Sequence, residues 1–461
     1  MSRWNLAWLL GIAAVVSLGF AVSQSAPSRA KDKDYELVRL VVDVLSEVDR
    51  NYVRELDDNA KRKLVEDMIN GGLEQLDPHS AFINSRRYRQ FDRTNRGEFG
   101  GIGIEVLGDG RTGTLHVEGL LVGTPAYEAG MQAGDTIVKV EGKPTKTMQP
   151  GEAVDMIQGE PGQKIRLTVV HAGSKDPVDL EMVRARIHID SVRGDVRKKE
   201  SPNEWDYFMD KANKIAYVRL TNFGKNTAEE LRHVLVELQH DGLRGLILDL
   251  RTNPGGLLQS AVEISNLFLT EGRIVSTRGR NAQDDVREYD AKSDGALLLP
   301  AENYPTVILV NRYSASASEI VSAALQDHHR AVIVGERTYG KGSVQNVIRM
   351  ENGTSALKLT TASYWRPSGK NIHRFPDSKD TDDWGVKPNP GFEVPMKDED
   401  LIAYLNYRRG RDMVVGKGGV PKAAKSDKPY EDRVLEKALG YLRQEIKKVQ
   451  AAKPPAQPDH G

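Results

Sequence analysis

From Tyr35 onward the apolar residues fall on a helical period. Leu37, Leu40, Val41, Val44, Leu45 and Val48 line one face of YELVRLVVDVLSEVDRNYV. NAKRKLVEDMINGGLEQL repeats the pattern, and its glycine pair is expected to end the helix. LDPHSAFI then turns at Pro78. Between residues 96 and 186 the pattern changes to short alternating or apolar runs, GEFGGIGIEV, LHVEGLL, DTIVKVEG and IRLTVVH, with glycine turns between them. AYEAG and PGEAVDMIQG read as two short helices inside this β-rich module of domain size. From Lys214 strands and helices alternate. KIAYVRL, RGLILDL, RIVSTRG, TVILVN and AVIVGE are strands, and NTAEELRHVLVELQHDG, GGLLQSAVEISNLFL and SASEIVSAALQDH are helices. That alternation predicts an α/β layer with a mostly parallel sheet. TSALKLTTASYW adds a strand pair, PYEDRVLEKALGYLRQEIKKVQ a last amphipathic helix, and AAKPPAQPDHG a disordered tail.

The first residues are of another kind. After a single Arg, residues 6–22 (LAWLLGIAAVVSLGFAV) are 17 uncharged positions followed by a polar linker. That length suits both a cleaved signal peptide, with a cleavage site ending at Ala21-Val22-Ser23, and a retained membrane anchor. Both send the remainder out of the cytoplasm. The 461 residues imply several domains. Lys plus Arg and Asp plus Glu both number 65, a balance that gives no reason to expect a nucleic-acid partner. There is no cysteine, which excludes thiol catalysis, disulfides and cysteine-held zinc.

Two strings stand out chemically. NRYSASASEI, residues 311–320, sets serines at alternate positions with only alanine between, just past a buried strand and at the start of a helix. Open α/β sheets build their sites there, and the helix N–H groups can meet an oxyanion. The plain alternative is a helix cap, since Ser316 and Glu319 make an S-x-x-E capping box. GERTYGKGSVQ, residues 335–345, matches most of a phosphate-binding loop, but Gly342 stands where a hydroxyl must hold magnesium, and SVQNVIRM after it is β-branched. Lys341, if desolvated, can instead be the base a serine needs, with Gln345 placed to accept from its amine. A surface lysine in a glycine turn is the plain alternative. His79, His328 and His329 read as turn and helix-end residues, and no His triad, HExxH or metal spacing is present.

The block from NRYSASASEI to GKGSVQ closely resembles the active-site block of the carboxy-terminal processing peptidases, or tail-specific proteases. LILDLRTNPGGLLQSAVEISNLFL, LKLTTASYWRPSGKNI, LDPHSAFI and GEFGGIGIEV resemble their flanking segments, so the likeness runs from Tyr35 to Pro395. The resemblance implies Ser316 as nucleophile, Lys341 as general base and Gln345 as the residue that orients it. It implies an oxyanion hole from the N–H of Ala317 and of Gly255 or Gly256. It also implies a circularly permuted PDZ domain whose carboxylate loop offers Gly101, Ile102 and Gly103, with Phe99, Ile102 and Ile104 around an apolar last side chain.

The implied fold is multidomain: a signal peptide or anchor (1–25), a helical segment (26–95), the PDZ domain (96–186), a crotonase- or ClpP-like α/β peptidase core (187–415), and a C-terminal helix with its tail (416–461). The implied activity is serine endopeptidase cleavage of C-terminal regions of envelope proteins, without cofactor or metal. The expected partners are unfolded chains or C-terminal tails, with an adaptor and homo-oligomer pairing through the terminal helices left open. A catalytically dead PDZ scaffold and a crotonase-like acyl enzyme are the rival readings. Two departures are visible: Gln158 stands where many relatives carry arginine, and residues 373–388 are longer and more acidic than the usual connection, by default a solvated loop.

Overall fold

The computed structural model describes residues 29–96, 98–109, 114–148, 150–281, 285–293, 299, 303–412 and 430–452. The segment 6–22 and the tail after Ala452 lie outside them. Among the described residues no helix is long and apolar enough to cross a membrane. The chain divides into two compact units between Gln75 and Leu76.

The first unit holds helices Arg29–Asn51 and Asp58–Glu74. Asp57 caps the second helix by accepting from Ala60 N–H, and Lys61 pairs with Asp49 at 2.6 Å. The second helix does not stop at Gly71–Gly72 but runs through both to Glu74. A Cβ at either glycine would meet nothing within 4 Å. Neither glycine adopts the left-handed conformation that ends helices, so glycine composition alone does not end this helix.

Among its described residues the second unit contains three larger sheets and two two-stranded ones. Residues 104–109, 114–120, 136–140, 164–170 and 177–183 form one antiparallel order, closed over a core that includes Ile102, Val117, Ile137, Leu167 and Val169. The second sheet is parallel at its centre. Ile215–Leu220, Gly245–Asp249, Thr306–Val310 and Val332–Gly335 pair in that order, and the first three are buried along their whole length. Strands buried on both faces need apolar cover on both. Helices Thr227–His240, Leu258–Asn266 and Ala317–Asp327 cover one face. Asp398–Asp412 and Arg433–Ala452 cover the other, laying Leu401, Tyr404, Leu439 and Leu442 against Ile215, Ile247 and Val307. The protein is thus multidomain, with an α/β core beside a β-rich domain.

The third sheet is antiparallel. Ser355–Trp365 is one 11-residue strand, not a strand pair. It pairs with Ser343–Met350, with Ala81–Ile83 and with Arg273–Gly279. The strand RIVSTRG therefore leaves the parallel series that its place in sequence suggested. A period-two run states that a strand exists but not which sheet receives it.

Candidate active site

The buried strand Thr306–Val310 leads to Ser316, the residue before helix Ala317–Asp327. Ser316 has φ 57° and ψ −112°, a backbone conformation that a side chain other than glycine rarely adopts. Its neighbours hold the turn in place. Ser314 Oγ donates to Leu250 O at 2.7 Å and accepts from Asn311 N–H at 3.0 Å. Ser318 Oγ donates to Asn253 O at 3.0 Å, and Ala315 N–H donates to the same carbonyl at 3.1 Å. Of the three alternate serines, the outer two are fully buried and bound to backbone, while Ser316 keeps 7% exposure. Ala317 N–H has no hydrogen-bond partner among the described residues.

The TNPGG loop lies against this turn. A Cβ on Gly255 would sit 2.6 Å from Ala315 O and 2.8 Å from both Ala317 N and Ser316 Cβ, and its φ is +94°, so only glycine fits. Gly255 N–H is already given to Asn253 Oδ1 at 2.9 Å. The Gly255 carbonyl accepts from Phe223 N–H. On the same trans peptide the Gly256 N–H points the opposite way, and it has no partner among the described residues. Below the loop the buried Arg251 pairs with Asp249 at 2.6 Å and with Asp432 at 2.8 Å, which ties its base to the start of the C-terminal helix.

Glu319 joins the serine turn to the lysine loop. Its carboxylate is fully buried. Oε2 accepts Ser316 N–H and Lys341 N–H, each at 2.8 Å. Oε1 accepts Thr338 Oγ at 2.5 Å and Gly340 N–H at 2.7 Å. The cap expected from S-x-x-E is present in the Ser316 N–H bond, but the same carboxylate also fixes residues 338–341. Burial pushes this carboxyl up to about 7, against the pull of the four hydrogen bonds.

Lys341 is half-buried. Burial draws its amine down to about 8, helped by the like charge of Lys358 and opposed by Glu319 and Asp77. A strand, Ser343–Met350, follows it, not the helix that a phosphate-binding loop requires. Residues 373–388 are not simply a solvated loop. Arg374 N–H donates to Gly340 O at 2.8 Å, Val386 N–H to Thr338 Oγ at 2.7 Å, and Trp384 stacks on Arg337 at 3.4 Å. The ends of the segment cover the lysine loop while its acidic middle is exposed. A Cβ at Gly340 would meet Arg374 and Trp384, and one at Gly342 would fall 2.2 Å from His373 N. The glycines beside Lys341 therefore make room for this cover.

Gln345 is bonded elsewhere than to Lys341. Its Nε2 donates to Ser343 Oγ at 2.8 Å and to Thr360 Oγ at 3.3 Å. Thr360 in turn meets Asp77 of LDPHS, a contact across 283 residues that no local string announces.

In the β-rich domain Phe99 and Gly101 pair with Ile187 and Ala185. Ile102 is 1% exposed, within that domain's core. Gly103 (φ +80°) accepts Leu121 N–H, and Ile104 opens the strand that pairs with Leu120. Near Gln158, Arg184 reaches the end of the neighbouring helix and donates to the carbonyls of Met156, Ile157 and Lys164.

An α/β core whose strand-to-helix serine turn and lysine loop share one buried carboxylate is an arrangement that suits a serine-type peptidase. The profile of Peptidase family S41 matches residues 214–389, and that of the PDZ domain residues 116–170. The carboxy-terminal-processing protease of Bartonella bacilliformis is 37% identical over 462 residues, 99% of this chain and 99% of its own. The carboxyl-terminal-processing protease of Synechocystis sp. is 32% identical over 353 residues, 76% of each chain. Among solved structures, a photosystem II D1 C-terminal processing protease is 29% identical, covers 77% of this chain and 92% of its own, and superposes with a TM-score of 0.40. The chain belongs to peptidase family S41, among the carboxy-terminal processing proteases.

Proposed function

We propose that this peptidase works through Ser316 and Lys341, cutting C-terminal regions of extracytoplasmic proteins whose tails its PDZ domain holds. The observation that carries the reading is the shared carboxylate of Glu319, which binds the N–H groups of both Ser316 and Lys341. Neutral Lys341 takes the Ser316 hydroxyl proton as Oγ attacks the scissile carbonyl carbon. The oxyanion is met by Ala317 N–H and, of the two glycines, by Gly256, because Gly255 N–H is committed to Asn253. The proton passes to the leaving amine, the C–N bond breaks, and water hydrolyses the ester on Ser316. Gln345 receives the lysine ammonium, and residues 6–22 carry the chain out of the cytoplasm.

For recognition, Gly101, Ile102 and Gly103 offer backbone N–H groups to a terminal carboxylate, with Phe99 and Ile104 beside the last side chain. The tail would add as a strand to the 104–109 edge, which has one neighbour in its sheet among the described residues. The domain limits given above are retained as part of this reading. The test compares two peptides of one sequence, one with a free apolar C-terminus and one amidated, cut by wild type and by Ser316→Ala and read by mass spectrometry. Faster cutting of the free tail by wild type, and none by Ser316→Ala, is expected. Equal rates on both peptides refute tail reading, and an active Ser316→Ala refutes the nucleophile.

A further inference from the structure

We propose that Asp77 and Thr360 are positioning residues for this peptidase, fixing which end of the Gln345 amide faces the lysine loop. The inference rests on the Ser316–Lys341 reading above and adds to it.

The hydrogen bonds leave one direction only. Asp77 Oδ1 accepts His79 N–H at 2.7 Å and Ser80 N–H at 2.9 Å. Ser80 Oγ accepts Thr360 N–H at 3.0 Å, so its own proton goes to Asp77 Oδ2 at 2.6 Å. Burial alone would raise the Asp77 carboxyl, but these bonds hold it below its ordinary value. Asp77 is therefore an ionised acceptor at neutral pH. Thr360 Oγ, 3.1 Å from Asp77 Oδ1, must donate its proton there. Its oxygen is then an acceptor toward Gln345, and only the amide nitrogen of Gln345 can donate to it. The nitrogen's second proton goes to Ser343 Oγ. Gln345 Oε1 is left as an unspent acceptor among the described residues.

Backbone register supports the same chain of contacts. Gln345 and Thr360 are cross-strand partners, and Ala81–Ile83 runs along the other edge of the Thr360 strand, which brings the Asp77–Ser80 turn beside it. The consequence is chemical. A base that has taken a proton needs an acceptor for its ammonium; Oε1, which makes no bond to Lys341 in this structure, would be that acceptor once the amine is protonated. A reversed amide would offer N–H groups instead, occupying the lone pair of the neutral amine and repelling the ammonium. The relay from Asp77 excludes the reversed form.

The experiment measures kcat, KM and the pH midpoint of kcat on one peptide for the full chain. The variants are Thr360→Val, Thr360→Ser, Gln345→Ala, the Thr360→Val/Gln345→Ala double, and Asp77→Ala. Thr360→Val keeps the volume but removes the relay, and should lower kcat roughly ten- to hundred-fold with KM within about two-fold. Its midpoint should move to lower pH, because the ammonium loses its acceptor; a merely structural loss would leave the midpoint in place. Thr360→Ser should restore most of the rate, Asp77→Ala should follow Thr360→Val, and the double variant should be no worse than Gln345→Ala alone. Wild-type kcat in Thr360→Val, an unmoved midpoint, or losses that multiply in the double variant would each overturn the proposal. Should Ser316→Ala or Lys341→Ala keep wild-type activity, the Ser–Lys reading itself fails, and this outcome is separate from the others.

Discussion

Replacing Glu319 by glutamine separates what its carboxylate does for catalysis from what it costs the fold. Four donors converge on two oxygens: Ser316 and Lys341 N–H on one, Thr338 Oγ and Gly340 N–H on the other. Glutamine has the same shape but one oxygen. Whichever way its amide turns, the NH2 group meets at least one buried backbone N–H, and that N–H loses its partner, at about 1–3 kcal/mol. Against this, the burial cost of a charge disappears. A carboxyl raised from its ordinary 4.5 to about 7 represents roughly 3 kcal/mol. The sign follows from proton binding. The folded state holds this proton more tightly than the unfolded chain, so the stabilisation is complete below pH 4.5 and is lost as pH rises through about 7. Glutamine does not titrate.

The stability of Glu319→Gln relative to wild type should therefore increase by roughly 3 kcal/mol between pH 4.5 and 8. Over the same variant kcat should fall about a hundred-fold, with KM little changed, because the serine turn and the lysine loop lose their common acceptor. Urea unfolding at several pH values and initial rates at pH 8 measure the two effects. A kcat within three-fold of wild type, or a variant stability relative to wild type that stays level or falls as pH rises, would refute the reasoning.

The base and the oxyanion loop give two further predictions. Activity should climb with pH and level off only above about 8, where the Lys341 amine is neutral, and Lys341→Arg should be inactive because guanidinium keeps its proton; a flat pH–rate profile would remove Lys341 as the base. Gly255→Ala puts a Cβ 2.8 Å from Ala317 N at a φ of +94°, and should lower kcat about a hundred-fold or more while circular dichroism stays unchanged; normal kcat would show that the loop does not line the oxyanion.

Much of the site was readable because its chemistry sits in short strings. SASAS after a buried strand and GKG before another mark the two loops, and apolar periodicity marks the layers around them. Sequence could not show what joins them. Glu319 reads as a cap because S-x-x-E is local; its bonds to Thr338, Gly340 and Lys341 lie about twenty residues further on. Asp77 and Thr360 are still more distant, and LDPHS reads only as a turn. The helix Asp398–Asp412 is marked only by acids at its start and arginines at its end, a pattern that favours the helix dipole. The acids of 373–388 suggest a solvated loop, but Trp384 and Val386 bury it against the lysine loop.

The placement of Glu319 answers a difficulty in any lysine-based mechanism. A carboxylate near a lysine normally pairs with it, and the pair holds the amine protonated and useless as a base. Here the two residues must lie close, since the lysine loop is built on the carboxylate. The conflict is resolved by saturation. A carboxylate has about four lone-pair positions, and all four meet backbone or threonine donors, none an ammonium. Its charge still pulls the Lys341 amine upward, but less than burial pulls it down. The carboxylate can thus hold the backbone of Lys341 without capturing its side chain. Glu319→Asp would retract the oxygens by one methylene and reopen those lone pairs to the amine, converting a support of the base into its competitor.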